Sequence, residues 1–530
     1  MNITNRETVC VVVLLVACFI SGCGEPRARG PAASGDLGTT IGSLAEVFAL
    51  ETIQVEGYGL VGGLRGTGSA QCPPQLRAYL ERYILRQLPD EKDVKEFISS
   101  LTTAVVRLDG SMPAAVLKNQ YFDVRVSALP GTQTMSLEGG EVWGAELYEA
   151  GRFGIGINPL AHAEGPVFID TIDSSKADKK TGYVLAGGTV LGEYKISLIL
   201  GRPDYRIAGR IRDRLNERFG EGTARAVGPD QVELKVPAKY AERKQRFISV
   251  VKATYLIQRP EVTRERISTF INKLASLEDQ DTSEAALEAI GKASLGKLVS
   301  LLGSPGEEVR LRAARCMLNL GSDRGLPALR EIAIDKGSAY RVAALEAITA
   351  TARRNDAAAI SRLLLRDEDF DIRLTAYEQL RKLDDIAIRR RFIGRNFYLE
   401  QIGQSKHKAV FVARSGQPHI VLFGAPIRCR DNVFVESADG SIMINASAGQ
   451  KYVSIIRKHP RRPTVVGLLK CSFDLGDIIQ TLCAEPLQKS EQERIGLGVS
   501  YADAIALLKQ MCDKGAVEAE FRAGPLPKID

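Results

Sequence analysis

The sequence predicts an α+β chain in three folded parts: a mixed α and β N-terminal body, an α-solenoid in the middle, and a β-rich C-terminal part. Three observations predict it. Through about residues 41–260, and again after Arg391, apolar residues alternate or run in short blocks bounded by Gly, Pro and Asn, which is the pattern of strands. Between about 283 and 385 they recur at helical spacing instead. Within that middle stretch the chain also repeats itself, as stacked helical arrays do. A length of 530 residues fits three or four domains. The 45% hydrophobic content supplies packed cores and the 25% charged content is ordinary for globular chains, which excludes wholesale disorder and a polytopic membrane protein. The net charge of +7 is spread among interspersed acids, and aromatics make up 6%, so nothing points to nucleic acid.

Residues 1–22 read as an export signal. Residues 9–20 form a 12-residue apolar run, short of the roughly 20 residues a bilayer requires and of the size of a signal-peptide core. The run ends in Ile20-Ser21-Gly22-Cys23, which resembles a bacterial lipoprotein signal: small residues admit the peptidase, and the Cys23 thiol accepts the lipid. A plain signal peptide with an incidental cysteine is the alternative. Lipidation would make residues 23–39 a Gly-, Pro- and Ala-containing tether, with acyl chains holding the protein on a membrane at about 0.8 kcal/mol per buried methylene. Gly24, where an Asp retention signal would stand, favours the outer membrane over the inner one. Of the nine cysteines, Cys10 and Cys18 leave with the signal. Cys316 is expected free in a helical core. Cys429, Cys471, Cys483 and Cys512 either make two disulfides in one of three pairings or stay as buried thiols.

In the body at 40–260, residues 102–108 and 121–129 read as strands. Residues 195–256 read more fully: a strand KISLILG, a helix opened by Pro203-Asp204 and closing at Phe219, strands at 223–227 and 232–236, and a second helix from about Ala241. The block at 283–385 repeats. EVRLRAARCMLNLG, AYRVAALEAITATA and DIRLTAYEQLRKLD align with Arg310, Arg341 and Arg373 in register, 31 and 32 residues apart. Each is followed by a second helix, and the block resembles short HEAT-type repeats, which offer surfaces to partners. Residues 391–530 return to strands and close with the helix YADAIALLKQMCDKG and a last strand AVEAEF.

Catalytic motifs are present only as fragments. Gly57-Tyr58-Gly59-Leu60-Val61-Gly62 matches G-x-G-x-x-G, but GLRGTGSAQCPP follows, where the dinucleotide fingerprint needs a helix N-terminus. Lys180-Thr181-Gly182 matches K-T-G, yet the S-x-x-K sequences at Ser294 and Ser405 come after it. His162, His407, His419 and His459 are scattered, with no metal-binding spacing. We therefore expect no enzyme, no metal and no cofactor.

Six glycines fall between 57 and 68 in VEGYGLVGGLRGTGS, separated by apolar Leu60, Val61 and Leu64, which indicates a packed segment. This stretch resembles the N-terminal signature of the flagellar P-ring protein family. Three more stretches follow in the family's order. TTAVVRLDGSMPAAVLKNQYFDVRVSALPGTQTMSLEGG carries the Ser136-Leu137-x-Gly139-Gly140 element. GYVLAGGTVLGEYKISLILGRPDYRIAGRIRDRLNERFGEGTARAVGPDQVELKVPA is similar to the family's long signature. GVSYADAIALLKQMCDKGAVEAEF is similar to its last helix and strand.

The resemblance covers about 40–260 and 495–521, with the helical repeats as an insertion. It implies a periplasmic structural subunit that forms a closed homo-oligomeric ring around the flagellar rod, with the outer ring and peptidoglycan as further partners and the membrane reached only through the lipid. Gly57, Tyr58, Gly59, Gly62, Gly63, Gly66 and Gly68 are candidates for packing between subunits. Arg206, Arg210, Arg214 and Arg218 recur every four residues and form a basic stripe, read either as a solvated helix face or as a contact with an acidic neighbour or wall polymer. The alternative function is an envelope lipoprotein scaffold whose repeats bind a protein outside the flagellum.

Overall fold

The computed structural model describes residues 37–48, 52–87, 93–113, 115–152, 158–172, 178–394, 396–459, 462–486 and 496–529. The signal, Cys23 and nearly all of the tether lie outside the described residues. Residues 39–530 form one compact unit.

Strand β1 (Ala45–Phe48) is followed by β2 (Thr52–Gly62), helix α1 (Pro74–Gln87) and helix α2 (Val94–Ile98). Next come β3 (Ala104–Pro113), β4 (Tyr121–Ala128), β5 (Glu141–Glu149), β6 (Ala161–Pro166) and β7 (Thr181–Val190). Six of these strands close a barrel in the order β2-β3-β4-β7-β6-β5. Its interior takes the inward member of each alternation, including Val55, Val106, Leu108, Val124, Val126 and Leu147, as the two-residue period of a strand requires. Helices α1 and α2 cover Leu60 and Val105 from outside through Leu80, Ile84, Val94 and Ile98.

The chain then forms β8 (Ile196–Leu200), α3 (Tyr205–Phe219), β9 (Ala224–Ala226), β10 (Gln231–Leu234) and α4 (Lys244–Lys252). Strand β1 returns here to complete an antiparallel sheet, β1-β8-β10-β9. Asp204 caps α3, its carboxylate accepting from the backbone N–H groups of Arg206 (2.7 Å) and Ile207 (3.3 Å). Ala208, Ile211 and Leu215 on α3, with Phe247 and Val251 on α4, pack on one face of this sheet.

A run of eight helices follows: α5 (Pro260–Ala275), α6 (Gln280–Ile290), α7 (Leu295–Leu301), α8 (Glu307–Asn319), α9 (Leu326–Ile334), α10 (Arg341–Thr351), α11 (Arg354–Leu364) and α12 (Phe370–Lys382). Helices α6, α8, α10 and α12 pack successively on one another, and α4 packs on α6 at the start of the row. The in-register arginines explain the repeat. Arg310 Nη1 donates to the carbonyls of Ser304 and Pro305 (2.9 and 3.0 Å), and Arg373 Nη1 to those of Asp367 and Glu368 (2.9 and 2.7 Å). Each folds back over the turn before its own helix and satisfies carbonyls that have no helical partner. Arg341 departs from this, reaching the Ala333 carbonyl (3.2 Å) and pairing with Asp367 of the next turn.

The C-terminal part contains β11 (Arg389–Ile393), β12 (Phe397–Ile402), β13 (Ala409–Val412), β14 (His419–Phe423), β15 (Val433–Glu436), β16 (Ile442–Ala446), β17 (Val453–His459), β18 (Arg462–Cys471), α13 (Leu475–Cys483), α14 (Tyr501–Asp513) and β19 (Glu520–Ala523). A mixed sheet runs β11-β12-β14-β13-β19, and β15 to β18 form a meander. The mixed sheet is buried on both faces, so AVFV and HIVLF run apolar instead of alternating. Val410, Val412, Ile420 and Leu422 face α13 and α14. Phe411, Val421 and Phe423 face α12. The helical run is therefore built into the molecule at its far end, where α12 shares a core with the sheet.

Candidate assembly surfaces

The glycine-rich segment is strand β2 and the turn after it, so the G-x-G-x-x-G match lies within a barrel strand and opens no helix. Four of its glycines are explained within the chain. A Cβ at Gly57 would stand 2.4 Å from the Glu146 carbonyl oxygen on β5, and one at Gly68 would stand 2.0 Å from the Thr103 carbonyl oxygen. Gly59 faces Ala145, and Gly62 lies under the ring of Trp143. These four are buried, Gly66 and Tyr58 are half-buried, and Gly63 is exposed. Close approach within the chain thus accounts for these four, between barrel strands for Gly57, Gly59 and Gly62 and against the turn before β3 for Gly68, where the sequence suggested contact between subunits.

The arginine stripe on α3 divides in two. Arg214 is used internally, donating to the Tyr255 carbonyl (3.3 Å) and pairing with Glu217 (2.6 Å). Arg218 donates to the Glu288 carbonyl (2.6 Å) near the C-terminal end of α6, where a cation also meets the negative end of the helix dipole. Arg206 and Arg210 are exposed, and their side chains have no partner among the described residues. Only this N-terminal half is free for contact, and Tyr205 beside it is 76% exposed.

The most concentrated charge cluster was not among the sequence-derived candidates. Glu284 and Glu288, one turn apart on α6, are both fully buried. Glu284 accepts from Arg246 Nη2 (2.9 Å), Arg315 Nε (2.7 Å), Arg315 Nη2 (2.5 Å) and Arg312 Nη1 (3.4 Å). Glu288 accepts from Arg246 Nε (2.9 Å), Tyr240 Oη (2.7 Å) and Asn319 Nδ2 (3.0 Å). Burial alone would raise the Glu284 carboxyl, but the guanidinium groups of Arg246 and Arg315 outweigh it and hold the group below the usual range. The cluster bolts α4 to α6 and α8. The readable signal was the pair of glutamates in SEAALEAIGK, set one turn apart among small apolar residues.

Residues 40–267 match the flagellar P-ring protein family. The matched P-ring region takes in the barrel, the four-stranded sheet with α3 and α4, and the start of α5. Among curated relatives, the flagellar P-ring protein of Hydrogenovibrio crunogenus is 29% identical over 228 residues, 39% of this chain and 58% of that protein. That of Nitrosomonas europaea is 29% identical over 272 residues, 47% of this chain and 71% of the relative. That of Anaeromyxobacter sp. (strain K) is 32% identical over 213 residues, 37% and 54%. The chain thus spans somewhat over half the length of the first of these relatives. The P-ring match stops before the repeated helices, and the weaker resemblance at 495–521 falls on α14 and β19, outside it.

The remaining fragments of catalytic motifs, inside and outside the P-ring region, serve the fold. Thr181 opens barrel strand β7. Ser294 is buried and donates to the Gly291 and Leu287 carbonyls (2.7 and 3.1 Å), and Ser405 donates to the His407 carbonyl (3.0 Å). His162 meets the Tyr83 hydroxyl at 3.2 Å, between β6 and α1. His419 lies beside Tyr377 and Phe411, and burial, reinforced by Arg381, pushes its imidazole down to about 4. The six described cysteines are all free, which decides against disulfides among Cys429, Cys471, Cys483 and Cys512; burial raises all four thiols. Among the described residues no group of three or more His, Cys, Asp or Glu is placed to hold a metal ion, and no helix is long and apolar enough to cross a membrane.

Proposed function

We propose that the chain is a structural, non-enzymatic subunit of a P-ring-like assembly that surrounds the flagellar rod in the periplasm and supports motility. The observation that carries this is the match of residues 40–267 to the flagellar P-ring protein family, over a region whose glycine-rich segment is a barrel strand and not a nucleotide loop. On this reading the subunits form a closed homo-oligomer, with the rod inside it and the outer ring and peptidoglycan as neighbours. Cys23 carries the lipid, and the outer membrane holds it. The helices between α5 and α12 are an inserted HEAT-like array.

A second reading, a scaffold whose helices bind a partner outside the flagellum, is favoured by one observation: the repeated helices lie beyond the P-ring match and leave a groove open between α9 and α11. Removing the block is a poor way to separate the two, because α6 is bolted to α4 and α12 completes the core over Phe411 and Phe423. Microscopy of basal bodies purified from cells carrying a tagged copy separates them. A label in the ring about the rod supports the first reading, and intact basal bodies without label overturn it. Loss of membrane association in Cys23→Ala would support the anchor, and unchanged fractionation would refute it.

A further inference from the structure

Two unpartnered surfaces of this chain have matching chemistry. The first is the free half of α3. Arg202, Arg206 and Arg210 are exposed, and their side chains pair with nothing among the described residues. Tyr205 stands beside them, 76% exposed. Arginine and tyrosine are residue types that concentrate in protein interfaces.

The second surface is a cavity of about 780 Å³ between α9 and α11. Its floor is apolar, with Pro327, Ala359, Ile334 and Leu363 exposed, the last two by 37% and 45%. Its rim carries Glu331, Asp335 and Asp356 against a single base, Arg330. The Glu331 and Asp356 carboxylates have no partner among the described residues, and Asp335 only accepts the Gly337 backbone N–H at 2.9 Å.

We propose that the exposed face of α3 in one copy of this chain docks into the α9/α11 groove of the next copy. Charge complementarity selects the occupant: a basic, aromatic helix face against an acidic-rimmed apolar groove. Spacing supports it. Arg206 and Arg210 are four residues apart on α3, about 6 Å along its axis, and Glu331 in the last turn of α9 and Asp335 just past its end follow one another along the acidic rim. With the helices antiparallel, Arg206 meets Asp335 and Arg210 meets Glu331. Tyr205 then enters between Ile334 and Leu363, where an aromatic side chain can bury about 150–250 Å². The two surfaces differ, so the contact is head-to-tail, the type that closes rings. It rests on the ring reading above, and it makes the repeated helices part of subunit contact instead of an appendage.

The test is sedimentation velocity on the purified full chain, comparing wild type with R206E/R210E, with E331R/D335R, with the four changes combined, and with Y205A. Far-UV circular dichroism establishes that each variant is folded. Each double reversal and Y205A are expected to weaken self-association at least about tenfold, the combined charge swap to restore it to within about threefold, and added salt to weaken the wild type. If wild type self-associates while folded reversals and Y205A do so equally well, this contact is overturned and the ring reading stands. A wild-type chain that stays monomeric at all concentrations overturns the ring reading and this contact with it.

Discussion

Replacing Glu284 by Gln tests whether this one buried carboxylate holds α4, α6 and α8 together. The amide keeps the volume of the carboxyl but removes its charge and turns one of its two acceptors into a donor. Four N–H groups from Arg246, Arg312 and Arg315 converge on that carboxylate within 3.4 Å. Charge-assisted bonds are each worth about 1.5–3 kcal/mol. They do not add fully, and the relief of desolvating the carboxylate offsets part of the loss, so the net cost is about 3–5 kcal/mol, the range for breaking a buried ion cluster from one side. The chain's overall stability is of the order of 5–15 kcal/mol, so the change is large.

Urea unfolding followed by far-UV circular dichroism measures the loss, and hydrogen exchange locates it. Protection should fall in α4, α6 and α8 and be retained in the barrel strands. Glu278→Gln, at an exposed position in the turn between α5 and α6, should change stability by less than about 0.5 kcal/mol. A double-mutant cycle with Arg246→Met should give a coupling of about 0.5–3 kcal/mol. The reasoning fails if Glu284→Gln costs no more than Glu278→Gln, or if barrel strands lose protection as much as α6.

Three further outcomes are expected. The half-buried His419, held at about 4 against an ordinary 6.5, stays neutral in the fold while the unfolded chain takes up a proton, so its contribution is intact above about pH 6.5 and is lost as pH falls toward 4; the loss is at most about 3 kcal/mol, and a pH series of urea midpoints should show it shrinking in His419→Phe relative to wild type. Gly57→Ala should destabilise by at least about 1–3 kcal/mol because its Cβ meets the Glu146 carbonyl at 2.4 Å, and a thermal melt no different from wild type would refute the close-approach account. Without reductant, peptide mapping should find Cys429, Cys471, Cys483 and Cys512 all alkylatable after unfolding, while in the folded protein the fully buried Cys316 and Cys483 resist the reagent; a recovered disulfide-linked peptide would contradict it.

Local periodicity was legible and long-range pairing was not. The strand KISLILG, the Asp204-capped helix and the strand about Val232 to Leu234 were readable because their signals lie within one element. The repeat period was readable from Arg310, Arg341 and Arg373, though the carbonyls that the first and last of these satisfy appear only once the preceding turns are folded. Helices α1, α2 and α13 were not distinguished, since their apolar faces are short and depend on the barrel and sheet they cover.

By itself, the sequence determined the order of α and β segments, the repeat of the helical block and the density of glycine in one segment. The tertiary structure decided what each was for. It assigned four glycines to contacts with residues far along the same chain, divided the arginine stripe into an anchored half and a free half, and buried Glu284 and Glu288 under arginines from two other helices. The physical reason is common to all three. Spacing along the chain sets which face of an element a residue occupies, but its energy depends on whatever the fold brings against that face.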